Sequence, residues 1–382
     1  MRRKEIYFWL VGAQKESLNV KVLLITGSYP PLACGVGDYS CNLANALAAI
    51  SEIRVGVLTS LGGGDCDSSG EIKVFPIMAS WGIFEVPKVI KTIWKYSPDI
   101  VHIQYPTQGY KDALLPWLLP VIAFFMGKKV VQTWHEIYSN RPNPKMVLKA
   151  LIPSGLIVVR PQHQEKLHPI LQWILCRKKI VFIRNASAIP RITLSDWERT
   201  EIKSKYIKQQ KRLIVFFGFI YEHKGVELLF DIADPDFDQI VIAGQLNDQG
   251  GYAKKINDLA ISYPWAGKVT ITGFLPSMDV AALLSAADAV VLPFRVGGGE
   301  WNTSIHSAVL QGTFVITTSE SSRGFDKEHN VYYSKIDNVQ EMKAALNSYA
   351  GKRREYDSDI DKNEWLQIAT DHHLLYQSLL AN

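Results

Sequence analysis

The chain reads as an α/β protein built from two doubly wound domains, and three observations predict this. Its 382 residues suffice for two domains of ordinary size. Short, continuous apolar runs alternate with helical patterns almost throughout. The alternation breaks once, between about Ala186 and Arg212. Strands buried on both faces read as unbroken apolar runs, and strands that alternate with helices imply parallel sheets with right-handed crossovers.

In the first half the candidate strands are Val20–Thr26, Ile53–Thr59, Ile100–Gln104, Lys129–Thr133, Leu156–Val159 and Ile180–Ile183. Helical patterns fall between them, among them Gly37–Ala49 and Phe84–Tyr96. The interruption carries Pro190, a polar Ser195–Glu198 segment and the charged run Glu201–Arg212, which reads as a linker followed by a solvated helix, with a hinge near Ser187–Pro190. A second series of strands follows: Leu213–Phe217, Gln239–Ala243, Val269–Thr272, Ala289–Leu292 and Phe314–Thr317. Its helices are Val226–Asp231, Tyr252–Tyr263, Asp279–Ala286 and Thr303–Gln311, and a closing helix spans Glu364–Leu380.

Composition narrows the function. With 47% hydrophobic and 21% charged residues the chain is globular rather than disordered. A net charge of +5, from 42 basic and 37 acidic residues, is too mild to argue for nucleic acid. It fits an anionic small substrate or contact with an acidic membrane surface. Cys34, Cys41, Cys66 and Cys176 form no CxxC pair and no zinc spacing, so they read as reduced thiols of a cytosolic protein. The N-terminus has a basic start and a short apolar stretch, Ile6–Ala13, but no convincing cleavage pattern; an uncleaved extension in contact with a membrane is expected. The longest apolar run, Ala113–Gly127, is shorter than the roughly 20 residues of a membrane span. Pro116 and Pro120 break it, so it reads as a buried or surface-seated helix.

The segment from Asp288 to Thr318 says most about chemistry. A buried strand ends at Pro293, a glycine loop Gly297–Gly299 follows with Glu300 at its tip, and Asn302, Thr303 and Ser304 open a helix that stops at Gly312. A flexible loop and a helix N-terminus at a strand's C-terminal edge bind phosphate, through free N–H groups and the positive end of the helix dipole. Gly218 ends the first strand of the second domain, and six residues later Lys224-Gly225 begins the next helical segment, which puts an ammonium beside that phosphate site.

In the first domain, Gly35-Val36-Gly37-Asp38 opens a helix after Ser28-Tyr29-Pro30-Pro31. As a dinucleotide fingerprint it is weak, since it reads GxGxxS and no acidic residue ends the second strand. It reads better as a flexible lid over an anionic or hydroxylated ligand. His135 follows an apolar strand and faces the strand ends, whereas His102 sits mid-strand and reads as structural. Asp65-Cys66-Asp67 spells the D-x-D of metal-dependent sugar transferases, but it lies in a Gly/Ser loop and reads as a solvated turn. Nothing else suggests a metal site.

In this order these motifs resemble the retaining glycosyltransferases of the GT-B fold, specifically glycosyltransferase family 4. The likeness runs from Val20 to Leu380. It rests on Gly35–Ser40 (GVGDYS), Pro98–Tyr105 (PDIVHIQY), Thr133–Glu136 (TWHE), Ile183–Asn185 (IRN), Phe216–Leu229 (FFGFIYEHKGVELL), Val269–Pro276 (VTITGFLP) and Trp365–Leu380 (WLQIATDHHLLYQSLL).

The resemblance implies two Rossmann-like domains facing a central cleft: residues 1–187 on the acceptor side, residues 188–360 binding the nucleotide-sugar, and residues 361–382 a helix crossing back to the first domain. It implies a metal-independent, retaining hexosyltransferase without a cofactor. The donor would be a UDP- or GDP-hexose and the acceptor a saccharide or lipid-linked saccharide. The setting would be cell-surface polysaccharide or lipopolysaccharide assembly, in the cytoplasm or at the inner face of the membrane.

His135, Lys224 and Glu300 would be catalytic. Gly218, Lys224, Arg295, Gly298, Gly299, Asn302, Thr303, Ser304 and Ser307 would hold the donor, and Gly35, Gly37, Asp38 and Tyr105 the acceptor. In the front-face mechanism proposed for this family, the leaving phosphate takes the acceptor's proton, and no carboxylate nucleophile of the glycosidase kind is needed.

The chain departs from the family pattern in two places. Phe219 stands where a basic residue is usual. Two glutamates expected eight positions apart fall on Gly299 and Ser307, with Glu300 one place off. A catalytically degenerate scaffold or sugar-binding protein of the same fold is the alternative these departures raise. An epimerase, a phosphorylase or a nicotinamide enzyme fits the residues less well.

Overall fold

The computed structural model describes residues 19–64, 70–136, 144–160, 167–246, 251–299, 301–354 and 364–381. The chain divides into two compact units, Met1–Arg184 with Asn363–Asn382, and Asn185–Lys362.

The first unit holds β1 (Val20–Ile25), β2 (Ile53–Ser60), β3 (Lys73–Met78), β4 (Ile100–Tyr105), β5 (Lys129–Trp134), β6 (Gly155–Val158) and β7 (Lys179–Phe182). They form one sheet in the order β3-β2-β1-β4-β5-β6-β7, parallel throughout. Leu24 lies between Val57 and His102. Every residue of β4 is buried, as a strand in a doubly covered sheet should be. The edge strand β3 was not visible in the sequence, because Pro76 interrupts it and most of its residues are only half-buried. An edge tolerates proline, since the missing N–H removes no ladder bond.

Helices Gly35–Ala48, Val86–Tyr96, Leu115–Phe125, Pro144–Leu151 and Pro169–Leu175 connect the strands. The closing helix Glu364–Leu380 packs on Gly35–Ala48 and passes β6 so closely that a Cβ on Gly155 would stand 3.0 Å from Leu379 Cδ1.

The second unit holds β8 (Arg212–Phe217), β9 (Asp238–Ala243), β10 (Val269–Gly273), β11 (Ala289–Leu292), β12 (Val315–Thr318), β13 (Gly324–Asp326) and β14 (Val331–Ser334). Their order is β10-β9-β8-β11-β12-β14-β13, with only β13 antiparallel to its neighbour among the described residues. Strands β13 and β14 and the helix Val339–Tyr349 extend the sheet beyond what the apolar runs predicted. Within the interruption, the helix Asp196–Ser204 runs into the charged stretch. A reciprocal capping box, with Ser195 and Glu198 each bonding the other's backbone N–H, starts that helix.

Cys34 and Cys176 are free thiols, but Cys41 is disulfide-bonded, so the expectation of four reduced cysteines fails at that position.

In both sheets the strand order reverses beside the first strand, between β1 and β4 and between β8 and β11. Open α/β sheets bind ligands outside the carboxyl ends of the strands at such a point. In the first unit the loops after β1 and β4 meet there backbone to backbone. A Cβ on Gly109 would overlap the Gly27 carbonyl, and Gly109 N–H donates to Ser28 Oγ at 2.9 Å. Gly109→Ala should therefore push the two loops apart. We expect a loss of about 1–3 kcal/mol, the usual cost of overpacking, read as a lower thermal midpoint; an unchanged midpoint would show that the loops yield freely.

Candidate active site

In the second unit the loops after β8 and β11 are stitched together at the switch point. Arg295 N–H donates to the His223 carbonyl at 3.0 Å. Gly225 has φ +65°, and a Cβ there would overlap the Pro293 carbonyl. Gly218 has φ +136°, and a Cβ on it would stand 2.9 Å from Ser304 Oγ. Only glycine meets both demands, a left-handed backbone and a neighbour at the position of Cβ. The strand-end glycine therefore abuts the first turn of the helix Thr303–Leu310, and Lys224 Nζ lies 4.4 Å from the centre of the Phe294 ring.

Asn302 occupies the N-cap position, but its side-chain oxygen accepts from Gly299 N–H at 3.0 Å and gives the helix's first turn no side-chain cap. Gly298 N–H donates to the Thr318 carbonyl at 2.6 Å, which ties the glycine loop to β12. A Cβ on Gly299 would overlap the Trp301 ring, whose residue is held in turn by Asn185 Nδ2 donating to the Trp301 carbonyl at 3.1 Å. The structure thus brings Gly218, Lys224, Gly298, Gly299, Asn302, Thr303 and Ser304 to one strand end.

Two other expected donor residues have side chains engaged by internal partners. The Arg295 guanidinium is bound by Asp337 at 2.7 Å and Glu227 at 3.0 Å, so two carboxylates offset its charge. Ser307 is buried, donates to the Thr303 carbonyl at 2.7 Å and pairs with Ser187 Oγ at 2.9 Å, an internal role in place of a ligand contact. Glu300 lies outside the described residues, as do Asp65, Cys66 and Asp67. No group of three or more His, Cys, Asp or Glu among the described residues could hold a metal ion. Phe219 begins a row that sequence reading missed, stacking with Tyr221 at 6.2 Å, while Tyr221 stacks with His223 at 5.5 Å. The period-two spacing of these rings was its signal.

In the first unit, a Cβ on Gly37 would stand 3.0 Å from the Ser28 carbonyl, so the start of the helix Gly35–Ala48 is packed against the end of β1. That helix too begins without a side-chain cap. Burial pushes the Asp38 carboxyl up to about 6. His135 follows β5 and donates its backbone N–H to the Tyr105 carbonyl at 2.8 Å. The Tyr105 side chain, expected to meet an acceptor, is instead buried and donates its hydroxyl to the Pro116 carbonyl.

The His135 ring belongs to a hydrogen-bonded series. Gln104 Oε1 accepts from His135 Nε2–H at 2.9 Å, and Gln104 Nε2 donates to His102 Nε2 at 3.2 Å. Thr133 Oγ1 donates to that same nitrogen at 2.7 Å, so His102 Nδ1–H donates to the Tyr376 hydroxyl at 2.7 Å. An amide oxygen can only accept, so Gln104 fixes His135 as the Nε2–H tautomer, with its lone pair on Nδ1. The Tyr39 ring meets His135 edge-on at 4.7 Å and touches Trp365 of the closing helix at 5.3 Å.

Burial holds His135 down to about 3, with smaller contributions from His372 and Lys149. Lys149 is itself fully buried, 3.8 Å from the centre of the Tyr105 ring and 4.6 Å from that of Trp134, and burial holds its ammonium well below the lysine range.

Residues 198–362 match the family model of the glycosyl transferases group 1. No curated protein matches the chain. Among solved structures, sucrose-phosphate synthase from Thermosynechococcus elongatus superposes with a TM-score of 0.71 at 18% identity, covering 95% of this chain and 99% of that one. HepE from Anabaena, solved with UDP and glucose, gives 0.64 at 16% identity, with coverages of 94% and 95%. The catalytic domain of starch synthase IV from Arabidopsis thaliana, solved with ADP and acarbose, gives 0.65 at 11% identity, with coverages of 95% and 100%.

The buried histidines make acid stability a test of this geometry. His102 is held well below its usual range, His135 at about 3 and His372 at about 4. When unfolded, each binds a proton near pH 6.5. Between that pH and the folded values the unfolded chain carries more protons, and each group removes about 1.4 kcal/mol per pH unit of acidification. Asp38 acts oppositely between its unfolded value and about 6, offsetting one of the three. The thermal midpoint of the first unit should therefore fall as pH drops from 7 to about 5; a midpoint that holds or rises would contradict the neutral assignments.

The matched segment and the two superposed sheets agree with the motifs read from the sequence: residues 198–362 match the glycosyl transferases group 1 model, and the chain has the GT-B fold.

Proposed function

We propose that the chain is a retaining, metal-independent hexosyltransferase. It takes a hexose from a UDP- or GDP-sugar and passes it to a saccharide or lipid-linked saccharide acceptor during assembly of a cell-surface polysaccharide at the cytoplasmic face of the membrane. One observation carries this reading: at the β8/β11 strand end, Lys224 shares a single loop junction with a helix N-terminus that has no side-chain cap. The group 1 match spans both parts of that junction, and the UDP and glucose held by HepE support a nucleotide-sugar donor.

The chemistry follows from charge. Cleaving the anomeric bond builds negative charge on the leaving diphosphate. An ammonium at Lys224 and the N–H groups of Thr303 and Ser304 stabilise that charge without reorganising as it forms. The leaving phosphate accepts the acceptor's proton, so no protein carboxylate has to serve as nucleophile. His135 is held neutral with a fixed tautomer, which suits it to a hydrogen bond with a sugar hydroxyl rather than to charge stabilisation. Gly35, Gly37 and Asp38 line the acceptor side. A degenerate, sugar-binding scaffold is the second reading, favoured by the internal bonding of Ser307 where a ribose-binding glutamate is usual.

The test is turnover of a nucleotide-sugar panel by the purified chain, with anomeric configuration read by NMR, and the same assay on Lys224→Ala. We expect retention and a loss of roughly 2–5 kcal/mol of transition-state stabilisation, the scale for removing one partner of a desolvated charge pair. Unchanged turnover would remove Lys224 from the site. A chain whose thermal midpoint responds to no nucleotide would be the scaffold.

A further inference from the structure

In the first unit, the helices Val86–Tyr96 and Leu115–Phe125 lie side by side and already bury one face each, with Val89, Ile93, Leu115, Leu119 and Ala123 in the same core. The remaining face of such helices is ordinarily polar. Here it is apolar. Phe84 is 95% exposed, Phe125 81% and Trp94 77%, and Ile90 and Phe124 are exposed as well.

Pro87, Ile90 and Trp94 recur at spacings of three and four, forming an outward stripe next to the core face. Lys88, Lys91 and Lys95 recur at the same spacing along its flank. Lys88 bonds Glu85 at 3.2 Å, while Lys91 and Lys95 are exposed. Neither helix contains an acidic residue, and Leu115–Phe125 contains no charge at all.

Exposed aromatics beside a row of cations mark a surface for a partner that is apolar inside and anionic outside. A bilayer with anionic headgroups has that composition, whereas protein interfaces are depleted in lysine. The 11 residues of Leu115–Phe125 rise only about 17 Å, short of the ~30 Å hydrocarbon core, so this face can lie on a bilayer but not span it. No helix among the described residues is long and apolar enough to cross a membrane.

We propose that this face of the first unit is the protein's seat on an anionic lipid bilayer. Phe84, Trp94 and Phe125 enter the boundary between headgroups and acyl chains, and Lys91 and Lys95 meet the lipid phosphates. The proposal stands apart from the donor chemistry, and its test needs no substrate.

The full chain is sedimented with vesicles of phosphatidylcholine alone or mixed with phosphatidylglycerol, beside the variants Phe124→Ser/Phe125→Ser and Lys91→Glu/Lys95→Glu. All the substituted side chains are exposed, so the thermal midpoints should match the parent's. The parent should bind the anionic vesicles at least about tenfold more tightly than the neutral ones, and each variant should lose about tenfold or more. The proposal is overturned if the anionic vesicles capture no protein or if both variants bind like the parent. It is also overturned if the face instead pairs two copies of the chain, seen as a concentration-dependent dimer that Phe124→Ser/Phe125→Ser abolishes while lipid binding is absent.

Discussion

The contact on which the second unit's site depends is the touching of two backbone loops that sequence separates by about 70 residues. The loop after β8 can lie against the loop after β11 only because Gly225 has no Cβ to meet the Pro293 carbonyl and Gly218 has none to meet Ser304. Parallel strand order brings the loops to the same edge, and the glycines let them close. Everything electrostatic follows from that closure. Lys224 settles near Phe294, the helix Thr303–Leu310 begins beside the strand-end turn, and Asn302 bonds the glycine loop rather than its own helix. The result is a positive, backbone-lined end to a buried sheet, the arrangement that diphosphates favour.

The first unit solves a different problem, holding polar side chains inside a fully buried strand. His102 and Gln104 sit in β4 with no exposure, where an unpaired polar group would cost free energy. The structure satisfies them through one another, through Thr133, and through Tyr376 of the closing helix. This gives the helix Glu364–Leu380 a role beyond covering apolar surface. Its Tyr376 hydroxyl accepts from His102 Nδ1–H and so closes the series that runs through Gln104 to His135. His135 is neutral because it is buried and has a fixed tautomer because Gln104 Oε1 can only accept, and that amide is held in turn by its bond to His102.

Much of this was legible in the chain. Unbroken apolar runs located the central strands to within a residue or two, because burial on both faces leaves no alternation to misread. The glycine positions located the strand-end loops, because close approach leaves few other residue types possible. Of the four edge strands, β7 and β10 were legible and β3 and β13 were not. β3 carries a proline and is half-buried, and β13 has three residues, so neither shows an apolar run. Side-chain roles decided by distant partners were also hidden. Nothing local reveals that the Arg295 cation is held by Glu227 and Asp337, that Ser307 turns inward to Ser187, that Tyr105 is buried beneath Pro116, or that Lys149 lies among aromatic rings.

In the proposed function, a nucleotide-sugar's diphosphate is gripped where the β8 and β11 loops meet. The most direct measurement is a crystal structure of the chain soaked with UDP or GDP. Density for the diphosphate is expected within hydrogen-bond reach of Lys224 Nζ and of the Thr303 and Ser304 amides. A nucleotide lodged elsewhere, or a strand end filled by the protein's own side chains, would contradict it.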